Sequence, residues 1–187
     1  ACWIPITKAS RVVLAGDPFQ LPPTVKSKEA EKGGLNITLI EKCLQRLEHT
    51  SLLKVQYRMN KLIMGFSNQY FYDGALKAAD HVREHRLPID DNHPLVYIDT
   101  AGCGFDEKLQ LAYLSRYNPE EFQILREHLY ALINAHREAQ QELPQIALIS
   151  PYREQVKYMT TAVAEDADLE EVPITINTID GFQGQES

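Results

Sequence analysis

Seven polar side chains of the types that sense a ligand stand just after apolar runs in this sequence. Asp17 and Gln20 follow Val12-Val13-Leu14-Ala15, and Arg58 follows the run that ends at Val55. Arg153 and Gln155 follow Ile146 to Ile149, and Gln183 and Glu186 follow Ile174 to Ile179. Each has an ordinary reading when taken singly. Gln20 is a solvated loop residue, Arg58 a surface or ion-paired arginine, and Gly181 and Gly184 are turn glycines. The repeated placement is what carries information. In a doubly wound sheet the loops at the carboxyl ends of parallel strands share one edge, and that edge makes the ligand crevice.

The elements needed to build such an edge are legible in the periodicity. Arg11 to Ala15 has the length and β-branching of a buried strand, stopped by Gly16-Asp17-Pro18 and stiffened by Pro22-Pro23. Leu35, Leu39, Cys43 and Leu47 make one apolar stripe, which predicts a helix over Asn36 to Glu48 with Asn36 as its N-cap. Ser51 to Val55 reads as a short strand. Asn60 is placed to cap a helix whose stripe is Leu62, Ile63, Phe66, Tyr70 and Phe71, and Asp73-Gly74 ends it. Residues 75–93 are charged and without period, a surface excursion. Leu95 to Asp99 reads as a strand.

Asn118-Pro119-Glu120-Glu121 is a helix start with a cap, a proline at the first position and acids in the first turn. Phe122, Leu125, Leu129, Leu132, Ile133 and His136 form its buried face. A strand over Gln145 to Ile149, a helix over Arg153 to Ala164 and a strand over Ile174 to Ile179 complete the chain. Strand and helix alternate from Ser51 onward, which predicts an α/β fold: a parallel sheet with helices on both faces.

The 187 residues suffice for one ordinary domain or parts of two. The net charge of −7 and a pI near 5.4 argue against wrapping nucleic acid by bulk attraction, but not against a local groove. Cys2, Cys43 and Cys103 are odd in number and widely spaced, which predicts no disulfide framework, no zinc site and a reducing, intracellular setting. No run approaches the ~20 apolar residues of a membrane span, and no signal peptide is visible. Without an initiator Met, and with a last stretch that reads as the middle of a loop, the chain is expected to be a fragment of a longer protein.

The four polar clusters, in order, resemble the boxes of superfamily 1 helicases. The nearest resemblance is to the branch of the RNA-surveillance helicase of nonsense-mediated decay and its related DNA and RNA helicases. Gly16-Asp17-Pro18-Phe19-Gln20-Leu21-Pro22-Pro23 resembles motif III, G-D-x-x-Q-L-P-P. Gln56-Tyr57-Arg58-Met59 resembles motif IV, Q-Y-R-M. Ser150 to Gln155 is similar to the S/T-P-Y-x-x-Q segment, and Thr178 to Glu186 to motif V, T-V/I-D-x-F-Q-G-x-E. Ser115 to Glu121 resembles the S-x-x-N-x-x-E segment. The resemblance spans almost the whole chain.

It implies a RecA-like P-loop NTPase fold in two domains with ATP between them. Residues 1–50 would be the end of the first domain and residues 51–187 most of the second. By the resemblance, the nucleotide-contacting residues are Asp17, Gln20, Tyr57, Arg58, Gly184 and Glu186. Among these, Gln20 reads the γ-phosphate or its attacking water, Tyr57 packs near the base or ribose, Arg58 is an arginine finger across the cleft, and Glu186 contacts the ribose. Pro23, Thr24, Ser150, Pro151, Tyr152 and Thr178 would face a single strand of DNA or RNA. A groove that tracks a backbone needs hydroxyls, amides and a stacking ring more than bulk charge. The cofactors implied are ATP and Mg²⁺. Translocation from 5′ to 3′, and a cytoplasmic or, in a eukaryote, nuclear location, are further expectations. Protein partners are not legible.

The G-x-x-x-x-G-K-S/T phosphate loop is absent from the sequence. The Mg²⁺-holding Asp-Glu box is expected just before residue 1 and the arginine-bearing motif VI just after residue 187. The 187 residues are therefore expected to be inactive alone. One rival is a non-catalytic interaction module on the same scaffold, which would have no need of Gln20, Arg58 and Glu186. Another is a GTPase-like protein, suggested by Asp99-Thr100-Ala101-Gly102, but Asn60-Lys61-Leu62-Ile63 is not a guanine-reading N-K-x-D. Strand followed by glycine turn is the simpler reading there. His81, His85 and His93 fit no common zinc spacing and are read as surface residues.

Overall fold

The computed structural model describes residues 3–22, 24–47, 50–89, 93–112 and 114–183. They fall into two compact units, one of Ala1–Val55 with Ser67–Leu76, the other of Gln56–Phe66 with Lys77–Ser187.

The first unit opens with a single helical turn, α1 (Trp3–Ile6), and a second, α2 (Lys28–Ala30), capped by the Ser27 hydroxyl. Gly34, at φ 85°, ends the turn that follows α2 in a backbone region that glycine enters without strain. The next helix, α3, is Leu39–Leu44, shorter than the Asn36 to Glu48 expected. Its cap is Thr38 rather than Asn36. Thr38 has a glutamate three residues on, and the pair closes a capping box: Glu41 N–H donates to Thr38 Oγ1 at 3.3 Å, and Thr38 N–H donates to Glu41 Oε2 at 2.6 Å. The Thr38 hydroxyl, which also donates to Glu41 Oε2 at 2.5 Å, and then the Thr38 N–H hold the Glu41 carboxyl below its ordinary range. Glu48 lies outside the described residues.

Arg11 to Ala15 is not a strand. The segment has the sequence character of one but is exposed, Val13 at 94% of its surface. A strand exists only as part of a ladder, and among the described residues no backbone hydrogen bond reaches it. The same holds for Leu95 to Asp99, and Ser51 to Val55 shrinks to β1 (Val55–Gln56).

Helix α4 (Lys61–Phe71) follows β1. Asn60, buried, starts it as expected: its Oδ1 accepts Leu62 N–H at 2.8 Å. Asp73 (φ 50°) and Gly74 (φ 71°) turn the chain after it. The expected excursion of residues 75–93 contains β2 (Lys77–Ala78) and a turn at residues 79–85. That turn is tied down by Asn60 Nδ2 to His85 O (2.8 Å), Lys61 N–H to Arg83 O (3.1 Å) and the Lys61–Glu84 ion pair (2.5 Å). The pair also lowers the Glu84 pKa.

The rest of the second unit holds the core. Strands β3 (Lys108–Gln110) and β4 (Ser115–Tyr117) pair antiparallel, Lys108 opposite Tyr117. Helix α5 (Pro119–Glu138) starts where the sequence places it, with Asn118 Oδ1 accepting Glu121 N–H at 3.1 Å. β5 (Ile146–Ser150), α6 (Arg153–Ala164) and β6 (Ile174–Thr178) form a parallel crossover unit, with Ile146 opposite Ile174 and Ser150 opposite Thr178. The acidic loop between α6 and β6 carries a 3₁₀ turn, Ala167–Leu169. A last helical turn, α7 (Ile179–Phe182), follows β6 directly. Phe122, Leu129 and Ile133 of α5 pack with Leu148 of β5, Met159 of α6, Leu169 and Val172. His136, also on the expected buried face, is 1% exposed, with Nδ1 at 2.9 Å from Leu132 O. This is the α/β architecture expected, with its parallel pair backed by helices.

Candidate nucleotide and nucleic-acid sites

In the first unit the loop after residue 15 is organised by Asp17. Its Oδ1 accepts Phe19 N–H at 3.0 Å, and its Oδ2 accepts Gln20 Nε2 at 3.3 Å and the Tyr72 hydroxyl at 2.5 Å. The Gln20 N–H also reaches Asp17 O at 3.4 Å. Desolvation, then the hydrogen bond to Asp17 and its negative charge, push the Tyr72 phenol up to about 12. Phe19 packs between Phe71 (ring centroids 5.7 Å) and the edge of Tyr72 (5.4 Å). A Cβ on Gly16 would come within 3.1 Å of Ile40 Cδ1, so the loop lies close against α3. Thr24 is exposed beyond this loop; Pro23 lies outside the described residues.

In the second unit Gln56 braces the turn that follows it. Its Oε1 accepts the N–H groups of Arg58 and Met59, both at 2.9 Å, and its Nε2 donates to Met59 O at 2.7 Å. Tyr57 and Arg58 are therefore carried outward on a turn fixed by one amide. Tyr57 is 66% exposed and lies over His81, with centroids 5.9 Å apart and planes 29° from parallel. His81, read as an idle surface residue, backs the ring expected at the nucleotide.

A second edge of this unit lies at the carboxyl ends of β5 and β6. Their register sets Ser150 directly beside Thr178. Ser150 is buried, and its Oγ accepts Tyr152 N–H at 3.2 Å. Thr178 caps α7 by accepting Gly181 N–H at 3.3 Å. Pro151 and Tyr152 follow Ser150 on the surface and help wall a cleft of about 300 Å³ with Arg116, Asn118 and Gln155. Gln155 is not directed to a ligand: its amide takes Asn118 N–H at 2.6 Å and gives to Asn118 O at 3.3 Å.

Two AAA domain family models match the chain, one over residues 35–187 and the other over residues 1–28. The chain belongs to the AAA domain family. These matches, with the relatives that follow, agree with its resemblance to superfamily 1 helicases. It is 35% identical over its full length to DNA-binding protein SMUBP-2 of Rattus norvegicus, covering 19% of that protein. It is 34% identical, again over its full length, to an uncharacterized ATP-dependent helicase of Methanocaldococcus jannaschii, covering 28% of it. To the DNA polymerase alpha-associated DNA helicase A of Saccharomyces cerevisiae it is 34% identical over 99% of its length, covering 30%. The chain thus spans less than a third of each of these relatives.

Within this family member the expected site residues form three local groups: Asp17 with Gln20, Tyr57 with Arg58, and Ser150, Pro151 and Tyr152 with Thr178. Gly184 and Glu186 lie outside the described residues. Sequence reasoning gave no role to Tyr72 or His81, and it read Ser115 only as the start of its S-x-x-N-x-x-E segment. The partners of Tyr72 and Ser115 lie 55 and 39 residues away, which no local pattern announces. The Asp99 stretch is an ordinary turn, with Asp99 Oδ1 accepting Ala101 N–H at 2.9 Å and Gly102 at φ 82°. Among the described residues no cluster of acidic, histidine or cysteine side chains is fit to hold a metal, and no helix is long and apolar enough to cross a membrane.

Proposed function

We propose that the chain is part of an ATP-dependent helicase that couples ATP hydrolysis to movement along a single strand of DNA or RNA. The observation that carries this reading is the β5–β6 register. It puts two hydroxyls, Ser150 and Thr178, side by side at the carboxyl ends of parallel strands, followed at once by an exposed tyrosine. Strand ends of this kind are where open α/β sheets take ligands. Hydroxyls with a ring suit a phosphate backbone and an unstacked base. The printed names of the relatives support the same class.

In this reading Gln20 senses the γ-phosphate, and Arg58 supplies positive charge where negative charge develops during phosphoryl transfer. Tyr57 and His81 lie against the nucleotide's base or ribose, and Gly184 and Glu186 add contacts to the sugar. Pro23, Thr24, Ser150, Pro151, Tyr152 and Thr178 follow the strand. The Asp17 carboxylate has both oxygens engaged within the loop, which fits a brace for Gln20 and leaves Mg²⁺ to ligands other than these residues. The chemistry ATP supplies is transfer of its γ-phosphoryl group to water. Such an enzyme works where ATP and nucleic acid are, in the cytoplasm or nucleus, and the exposed free thiol of Cys103 suits a reducing compartment.

The test uses the full-length parent. ATP turnover should rise when single-stranded nucleic acid is added, and Arg58→Ala should lower kcat by about 10³-fold. A parent with no stimulated turnover sinks the reading. Unchanged turnover in Arg58→Ala removes the finger assignment alone.

A further inference from the structure

Helix α6 begins on a residue that cannot cap it. Ser27, Thr38, Asn118 and Thr178 each put a side-chain oxygen on the first-turn amides of their own helices. Tyr152, at the start of α6, does not. Its extended backbone (φ −108°, ψ 125°) is that of an N-cap, but its only polar side-chain atom sits at the far end of a rigid ring. Breaking a local rule at one position, with compensation from elsewhere, marks places where function outweighs local stability.

The compensation is visible. The Glu154 N–H, a first-turn amide of α6, donates to Ser115 Oγ at 3.2 Å, from β4. The next residue, Gln155, holds both backbone groups of Asn118, the residue that starts α5. Asn118 is buried, so neither of those groups would readily find water instead. The corner at residues 115–118 and the corner at residues 150–155 are thus one hydrogen-bonded piece. Tyr152, 43% exposed, stands at its surface beside the paired Ser150 and Thr178.

We propose that Ser115 and Gln155 are positioning residues for the Tyr152 ring. A cap supplied by another strand frees the first position of α6 for an aromatic side chain. That ring is then held rigidly as a stacking platform for one unstacked base of single-stranded nucleic acid. The inference rests on the nucleic-acid reading above and deepens it by naming what fixes the platform.

A double-mutant cycle in the full-length parent tests it, with binding of a labelled oligothymidylate followed by fluorescence anisotropy and unfolding followed thermally. Tyr152→Ser removes the ring and restores a self-capping side chain. It should weaken binding by about tenfold. Ser115→Ala and Gln155→Ala should each weaken binding by about threefold with Tyr152 present and add nothing in the Tyr152→Ser background. Ser115→Ala should also lower Tm less in that background, because the introduced hydroxyl would then cap α6 from within its own helix. Equal weakening in both backgrounds, or no weakening in either while Tyr152→Ser binds poorly, overturns the positioning role and leaves the nucleic-acid reading standing. Failure of the parent to bind oligothymidylate, or unchanged binding by Tyr152→Ser, overturns the platform and with it this proposal. If Gln155→Ala does not fold, Ser115→Ala, which removes a single oxygen, completes the cycle.

Discussion

The loop at Asp17 and the corner at Ser150 begin with the same kind of sequence, an apolar run that stops at a polar box, yet they are built differently. Ile146–Ser150 finds a parallel partner in Ile174–Thr178 and buries Leu148 against Phe122, Ile133 and Met159. Its polar box therefore inherits a rigid ladder. Val12 to Ala15 has no ladder among the described residues, and its box is held by its own carboxylate, the Tyr72 hydroxyl and a ring cluster around Phe19. One box is positioned by a sheet and the other by side chains. Hydrophobic patterning supplies the tendency to form a strand, but a neighbour at long sequence distance is what realises it.

The largest effect expected from this contrast is in the core beneath the Ser150 corner. Leu148→Ala should destabilise the chain by about 3 kcal/mol, the range for truncating a buried leucine among packed neighbours. Val13→Ala, its counterpart in the first apolar run, should stay within about 0.5 kcal/mol because the side chain faces water. Urea unfolding midpoints of the two variants decide the matter. Equal losses would mean that Val13 is buried, and the contrast between the two regions would disappear.

A smaller loss is expected at Asn60, which sharpens the comparison inside the second unit. This buried side chain caps α4 and donates to His85 O at once. Asn60→Ala should cost about 2 kcal/mol, a lost cap plus an abandoned buried carbonyl. It should also raise amide hydrogen exchange at residues 79–85 while leaving residues 147–149 protected. Exchange that rises equally in both segments would show the turn and the sheet to be one cooperative piece.

Much of the second unit was legible in advance because its determinants are local. Asn118-Pro119-Glu120-Glu121 marks the start of α5, and α6 covers the Arg153 to Ala164 expected of it. Thr38 was equally readable, since Thr38 and Glu41 are a capping-box pair that the choice of Asn36 overlooked. What could not be read depends on distant partners. Whether Arg11 to Ala15 and Leu95 to Asp99 become strands turns on a ladder neighbour, and apolar runs do not name theirs. The proposed site residues come from the boxes, whereas the side chains that support them could not be read there. Gln155 had the chemistry of a ligand contact and is spent on the backbone of Asn118. Tyr72, just past the end of α4, holds Asp17 from 55 residues away.

The smallest effect lies in that last bond, and its pH dependence tests the side-chain-built site directly. Tyr72→Phe keeps the ring against Phe19 and removes only the hydroxyl, so at pH 8 it should cost about 1 kcal/mol. The sign of the pH dependence follows from the direction of the shift. The folded phenol titrates near 12, above its ordinary value of 10.0. Its contribution is therefore fully present below about pH 10 and is lost as pH rises through 12, because the unfolded chain ionises first. The other tyrosines ionise in both proteins and cancel in the difference. The stability gap between wild type and Tyr72→Phe should hold to about pH 10 and then close toward pH 12. Ultraviolet titration should show one late phenol in the wild type that the variant lacks. A gap that stays constant across this range would mean that Tyr72 does not donate to Asp17. The loop carrying Gln20 would then need a different brace from the one that distinguishes it from the Ser150 corner.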